Sequence, residues 1–160
     1  MVDDIIDQVK ATPDDWVWSY HQSPENLRDS RINTLYKFLD DYNLGQKEQR
    51  YLVDFLPNLS FYDNSFDLVL CSHFLFLYSD HYDLSFHEKS IQEMLRVGRE
   101  VRIFPLLTLN LQPSPYLDSI QKTLTEQGYN VSIIEVEYQF QKGGNKMLVI
   151  QCPYSKILSD

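Results

Sequence analysis

Apolar residues recur along this chain with two distinct periods, and the switch between them marks out the elements. Over residues 23 to 45, Leu35, Phe38, Leu39 and Tyr42 follow the three-and-four spacing of one helix face. Ser23 is placed to cap that helix, Pro24 suits its first position, and Gly45 stands where it should stop. RYLVDF, residues 50 to 55, then reads as a short strand closed by Pro57, and Tyr62, Asp63, Asn64 and Ser65 read as a turn. FDLVLCS, starting at Phe66, is apolar at nearly every position after Asp67, the composition of a central parallel strand covered on both faces.

The second half alternates strand and helix. Ser85 and Glu88 form a capping box before an amphipathic helix carrying Phe86, Ile91, Met94, Leu95 and Val97, with Gly98 at its expected end. The strand EVRIFPL follows. Ser114 and Pro115 open a further helix with Leu117, Ile120 and Leu124 on one face and Gly128 just past it. VSIIEVEYQF and KMLVIQC, joined by the turn Lys142, Gly143, Gly144 and Asn145, should form an antiparallel hairpin. The order predicts a layered α/β sheet with right-handed crossovers. Two parts are expected within one globular unit: a helical segment at 1–49 and an α/β region at 50–160.

Composition narrows the function classes. A formal net charge of -9 gives no positive field for a nucleic acid or an anionic membrane surface, which leaves a small-molecule substrate or a protein partner. Arg96, Arg99 and Arg102 make the one basic cluster; they can be read as an anion site or as solvated charges at a helix end. Cys71 and Cys152 lie inside apolar runs, so neither a disulfide framework nor a thiolate metal site is expected, and a reducing cytoplasm fits. The first residues are acidic where a signal peptide is basic, and no apolar run reaches about 18 residues. His73, His81 and His87 with nearby carboxylates fit no metal-ligand spacing, so no metal is expected.

LSFYDNSFDLVLCSH, with RV and a strand after the following helix and a closing KGGN hairpin, resembles the second half of class I S-adenosylmethionine-dependent methyltransferases. The likeness runs from about Arg50 to Cys152, and residues 14 to 48 look like a helical insertion found in some bacterial members. It implies an incomplete Rossmann-like methyltransferase sheet, mostly parallel with a C-terminal antiparallel hairpin, and S-adenosylmethionine as cofactor. It also implies cofactor contacts from Asp54, Phe55 and Leu56, although the family's adenine-binding aspartate register falls here on Phe55, one residue from Asp54. Ligands of open α/β sheets sit beyond the carboxyl ends of the strands, which puts Cys71, Ser72 and Phe74 at the cofactor and makes His73 the candidate general base. The bland alternative has His73 capping the strand or packing on Tyr78.

The sequence departs from the family at its cofactor loop. That loop needs glycine for close backbone approach to the ligand, and the first glycine of this chain is Gly45. The expectation is therefore a truncated methyltransferase-like chain, inactive alone. The rival is a non-catalytic protein of the same fold that acts in protein association or self-assembly. Without the family's first strand, FDLVLCSH would keep an unpaired edge, and Trp16, Trp18 and Tyr20 would either mediate a homo-oligomer contact or fold back over the sheet.

Overall fold

The computed structural model describes residues 2–153, and the chain divides into two compact units. The first consists of residues 1–53 with Tyr138–Lys142, the second of 54–137 with the remainder from Gly143.

In the first unit, α1 (Val2–Ala11) and α2 (Pro24–Lys47) pack together around Ile6, Val9 and Leu27. Ser23 caps α2 as its sequence predicts, its hydroxyl accepting from the amide of Asn26 at 3.1 Å. Phe140 joins this core. Trp16 stacks on its ring at 4.7 Å, Trp18 meets it edge-on at 5.8 Å, and Val17 donates its amide to the Phe140 carbonyl at 2.8 Å. Trp16 and Trp18 thus cover Phe140 within this first unit rather than the sheet.

Three expectations fail in this unit. RYLVDF forms no strand, because Asp41 takes a bidentate ion pair from Arg50 and a hydrogen bond of 2.6 Å from the Tyr51 hydroxyl, folding the chain back onto the end of α2. Gly45 does not end α2, which continues to Lys47. Its missing side chain instead makes room for the Tyr51 ring, which would overlap a Cβ there. Third, the α2 stripe of Leu35, Phe38, Leu39 and Tyr42 stays exposed.

The second unit is a four-stranded mixed sheet with two helices. β1 (Phe66–Ser72) leads through a short 3-10 turn (Phe76–Tyr78) to α3 (Leu84–Val97); β2 (Gly98–Phe104), α4 (Leu117–Glu126), β3 (Asn130–Glu135) and β4 (Lys146–Gln151) follow. Asp83, rather than Ser85, caps α3, its carboxylate accepting from the Phe86 amide at 2.8 Å. The helix passes into β2 at Gly98 without a loop. A side chain at Gly98 would overlap a Val69 methyl, so this crossover needs the glycine for close helix–strand approach.

The strand order is β1-β2-β4-β3. β1 and β2 are parallel, whereas β4 runs antiparallel to both β2 and β3. The expected antiparallel terminal pair is present, but the sheet is not mostly parallel: among its three pairings only β1–β2 is. The expected long strand VSIIEVEYQF stops at Glu135, since Tyr138–Lys142 belong to the first unit.

Sheet register sorts the side chains by face. Val69 and Cys71 of β1 align with Val101 and Ile103 of β2, and these with Ile150 and Leu148 of β4. That face packs on Ile91, Met94 and Leu95 of α3 and on Ile120 and Leu124 of α4. Both helices of the unit therefore cover one face. β1, expected at the centre and buried on both sides, lies at the sheet edge with Phe66, Leu68 and Leu70 exposed on the other face.

Candidate functional site

The carboxyl end of β1 turns sharply. His73 adopts a left-handed backbone (φ 55°) while its amide still donates to the Phe104 carbonyl at 2.7 Å, so pairing with β2 runs one residue past the strand as the chain changes direction. Non-glycine residues seldom adopt this conformation, and where they do the surroundings must hold them there. The Ser72 hydroxyl lies 2.8 Å from Nδ1 of His73, and the imidazole meets Phe104 edge-on. Phe74, the next residue, packs against Tyr82 and Phe86.

The segment before β1 forms the opposite wall and is fastened at two points. Asp54 is the first: one carboxylate oxygen accepts from the Phe55 amide at 2.9 Å, the other from the Ser60 amide at 2.8 Å and the Ser60 hydroxyl at 2.7 Å. These bonds, the Ser60 amide foremost, hold its carboxyl below the usual aspartate value. The second is Arg96 of α3. Its guanidinium engages both carboxylate oxygens of Glu93, the carbonyls of Leu59 and Phe61, and Asp63 at 2.7 Å. Glu93 also accepts the Leu59 amide at 2.7 Å, and its carboxyl is lowered chiefly by Arg96. Arg96 is thus neither an anion site nor a solvated end charge; it clamps the loop to α3.

Between these walls lie two adjoining clefts. One, of about 450 Å³, is lined by Asp54, Phe55, Leu56, Leu59, Phe74, Tyr82 and Phe86. The other, of about 300 Å³, is lined by Leu56, Leu59, Val69, Leu70, Cys71, Ser72, Phe74 and Met94. Leu56, Leu59 and Phe74 belong to both, so the clefts share a wall. Each volume falls at the lower end of the range of small-molecule sites. The six residues named as cofactor contacts, Asp54, Phe55, Leu56, Cys71, Ser72 and Phe74, all lie on this double cleft. His73 does not line it; its ring sits beside Phe104.

The chemistry on offer is that of a flat, apolar slot. Tyr82 and Phe86 stack at 4.2 Å and, with Phe74 and Phe55, present aromatic surface. Cys71 is a core group, and burial pushes its thiol pKa up, which keeps it from acting as a nucleophile. Behind the slot lies a polar cluster built around His87. Its Nδ1 is 2.8 Å from the Asp83 carbonyl and its Nε2 2.9 Å from the Leu75 carbonyl, while Ser79 and Ser114 join their hydroxyls at 2.7 Å. This cluster ties the 3-10 turn to α3 and sets where Phe74 and Tyr82 stand. Among the described residues no group of histidines, cysteines and carboxylates is arranged to hold a metal.

Sequence reasoning missed Leu59, Tyr82 and Phe86. Tyr82 and Phe86 carry a signal, being aromatics four residues apart across the start of a helix. A larger groove of about 750 Å³ between α3 and α4, floored by Ile91, Ile120 and Leu124, had no sequence signal.

No protein-family profile matches this chain, and no solved structure does. An uncharacterized protein of Methanocaldococcus jannaschii is 36% identical over 134 residues, which cover 84% of this chain. The chain spans 58% of that relative's length. No described helix is long and apolar enough to cross a membrane.

Proposed function

We propose that this chain is a methyltransferase-like protein whose double cleft is the adenine side of an S-adenosylmethionine site, and that it transfers no methyl group alone. The observation that supports this most is that all six cofactor candidates line one or other of two clefts sharing Leu56, Leu59 and Phe74, at the carboxyl end of β1, where open α/β sheets take their ligands. The residues present suit a planar apolar ring: Leu56, Phe74 and Phe86 offer aliphatic and aromatic faces, and a purine is held largely by such stacking. They do not suit the rest of the cofactor. Among the described residues no glycine loop precedes β1, and both oxygens of Asp54 are already committed to the loop.

Bound, the cofactor would supply an activated methyl group. This chain's own residues would orient the ring and exclude water from it, while His73, outside the clefts beside the Ser72 hydroxyl, would serve as a base only to an oxygen or nitrogen acceptor held beyond them. The acceptor is a small molecule or a protein side chain, and the setting a reducing cytoplasm.

NMR titration with S-adenosylhomocysteine and with adenosine is the test. Both ligands should shift Leu56, Phe74 and Phe86 at about 1 mM, an affinity of roughly 4 kcal/mol, with no methyl transfer by the chain alone. Absence of any shift at those residues would sink the reading. A second reading, a non-catalytic association protein, is favoured by one observation: the uncovered apolar edge of β1.

A further inference from the structure

Among the described residues β1 is hydrogen-bonded to a neighbouring strand on one side only, because it ends the sheet order. The His73 amide reaches the Phe104 carbonyl, so by the alternation of an extended strand the peptide groups of residues 67, 69 and 71 face β2. Those of Leu68, Leu70 and Ser72 point outward. On the face away from α3, Phe66, Leu68 and Leu70 are 39%, 42% and 66% exposed. Soluble proteins blunt their edges with charge, bulges or cover. Here the distribution is inverted, since the interior strand β2 carries Arg99, Glu100 and Arg102 while the edge carries phenylalanine and leucine.

We propose that the free edge of β1 is the docking site of a polypeptide β-α unit, which pairs parallel to β1 and lays its helix over Phe66, Leu68 and Leu70. A strand apolar on both faces belongs inside a parallel sheet. A parallel neighbour brings a crossover helix with it, and a helix is what the bare face lacks. A lone strand would satisfy the outward peptide groups and leave the face open. A second copy fares worse: twofold antiparallel pairing of two β1 edges would put both bare faces on the same side, doubling the apolar strip, and would join two chains of net charge -9.

The M. jannaschii relative is long enough to include such a segment. Its 134 matched residues are 58% of its length, which leaves on the order of 100 residues outside the match, where a β-α-β unit needs about 30. Leu70 and Ser72 also line the smaller cleft, so a docked strand would border it, but docking at the edge does not rest on the cofactor reading.

Co-expression of this full chain with the part of the M. jannaschii protein outside the match tests the proposal. A one-to-one complex is expected by size-exclusion chromatography with light scattering, with amide exchange at Leu68, Leu70 and Ser72 slowed about tenfold or more. Leu70→Lys should weaken the complex about tenfold or more while leaving the chain's own unfolding midpoint in place. Exchange in the intact M. jannaschii protein is the second measurement. There the strand matching β1 should exchange as slowly as the strand matching β2, which supports the proposal even where the separated segment does not associate. Fast exchange in the intact protein together with no complex overturns it, as does a complex that leaves those three amides fast. Slow exchange in a homodimer of this chain, unchanged by co-expression, assigns the edge to a second copy and overturns it too.

Discussion

β1 and β2 are neighbouring seven-residue strands, hydrogen-bonded in parallel, and their helix-facing side chains share one core. On the opposite face they diverge. β2, with a strand on either side, carries Glu100 and Arg102, which pair with each other at 2.6 Å and tie to Gln151 of β4. β1, with one neighbour, carries Phe66, Leu68 and Leu70. The contrast shows that the apolar content of β1 exceeds what the described residues of the second unit bury, whereas that of β2 matches it.

The sharpest way to break this contrast is through the shared core. Ile103→Ala, at a fully buried position, should cost about 2–5 kcal/mol by urea denaturation, from lost transfer energy and the cavity left behind. Gly98→Ala should cost about 1–3 kcal/mol, because the added methyl meets Val69 and forces α3 away from β1. By contrast, Leu70→Ala should stay within about 0.5 kcal/mol in the chain alone. If Leu70→Ala cost as much as Ile103→Ala, the bare face of β1 would already be covered in solution and the comparison would fail.

Two smaller effects sharpen it on the loop that faces the end of β1. Arg96→Ala should free residues 59–64, read as amide exchange about tenfold faster at Leu59 and Asn64 with β2 unaffected. Asp54 makes the smallest contribution, and it depends on pH. Its folded carboxyl lies below the ordinary aspartate value of about 3.9, so its bonds to Ser60 are present above that pH and are lost as pH falls through the lower folded value. Asp54→Asn should abolish this acid-dependent loosening, seen as a Ser60 amide resonance that no longer moves below about pH 4. A Ser60 amide that titrates equally in both proteins would remove Asp54 as the fastener.

Much of the second unit was legible in sequence. The apolar run from Phe66, the face of Ile120 and Leu124, and the terminal antiparallel pair follow from periodicity alone, because each element's burial is encoded at a fixed spacing. The double cleft was legible in part. Cys71, Ser72 and Phe74 follow from the rule that ligands gather at the carboxyl ends of strands, while Tyr82 and Phe86 depend on where α3 begins, and Asp83 rather than Ser85 decides that. The wrong strand at 50–55 shows the limit. Leu52 and Val53 have good strand propensity, yet Asp41, ten residues from Tyr51, captures both Arg50 and Tyr51 and overrides it.

The sequence by itself determined the alternation of strands and helices, the acidic surface and the lack of glycine among its first 44 residues, since these are local patterns or counts. Only the tertiary structure decided that β1 is an edge, that Arg96 is a clamp rather than a binding group, and that Phe140 leaves the hairpin to pack under Trp16. Each of these depends on a partner distant in sequence, and strand order, ion pairing and ring stacking are properties of pairs that no single segment contains.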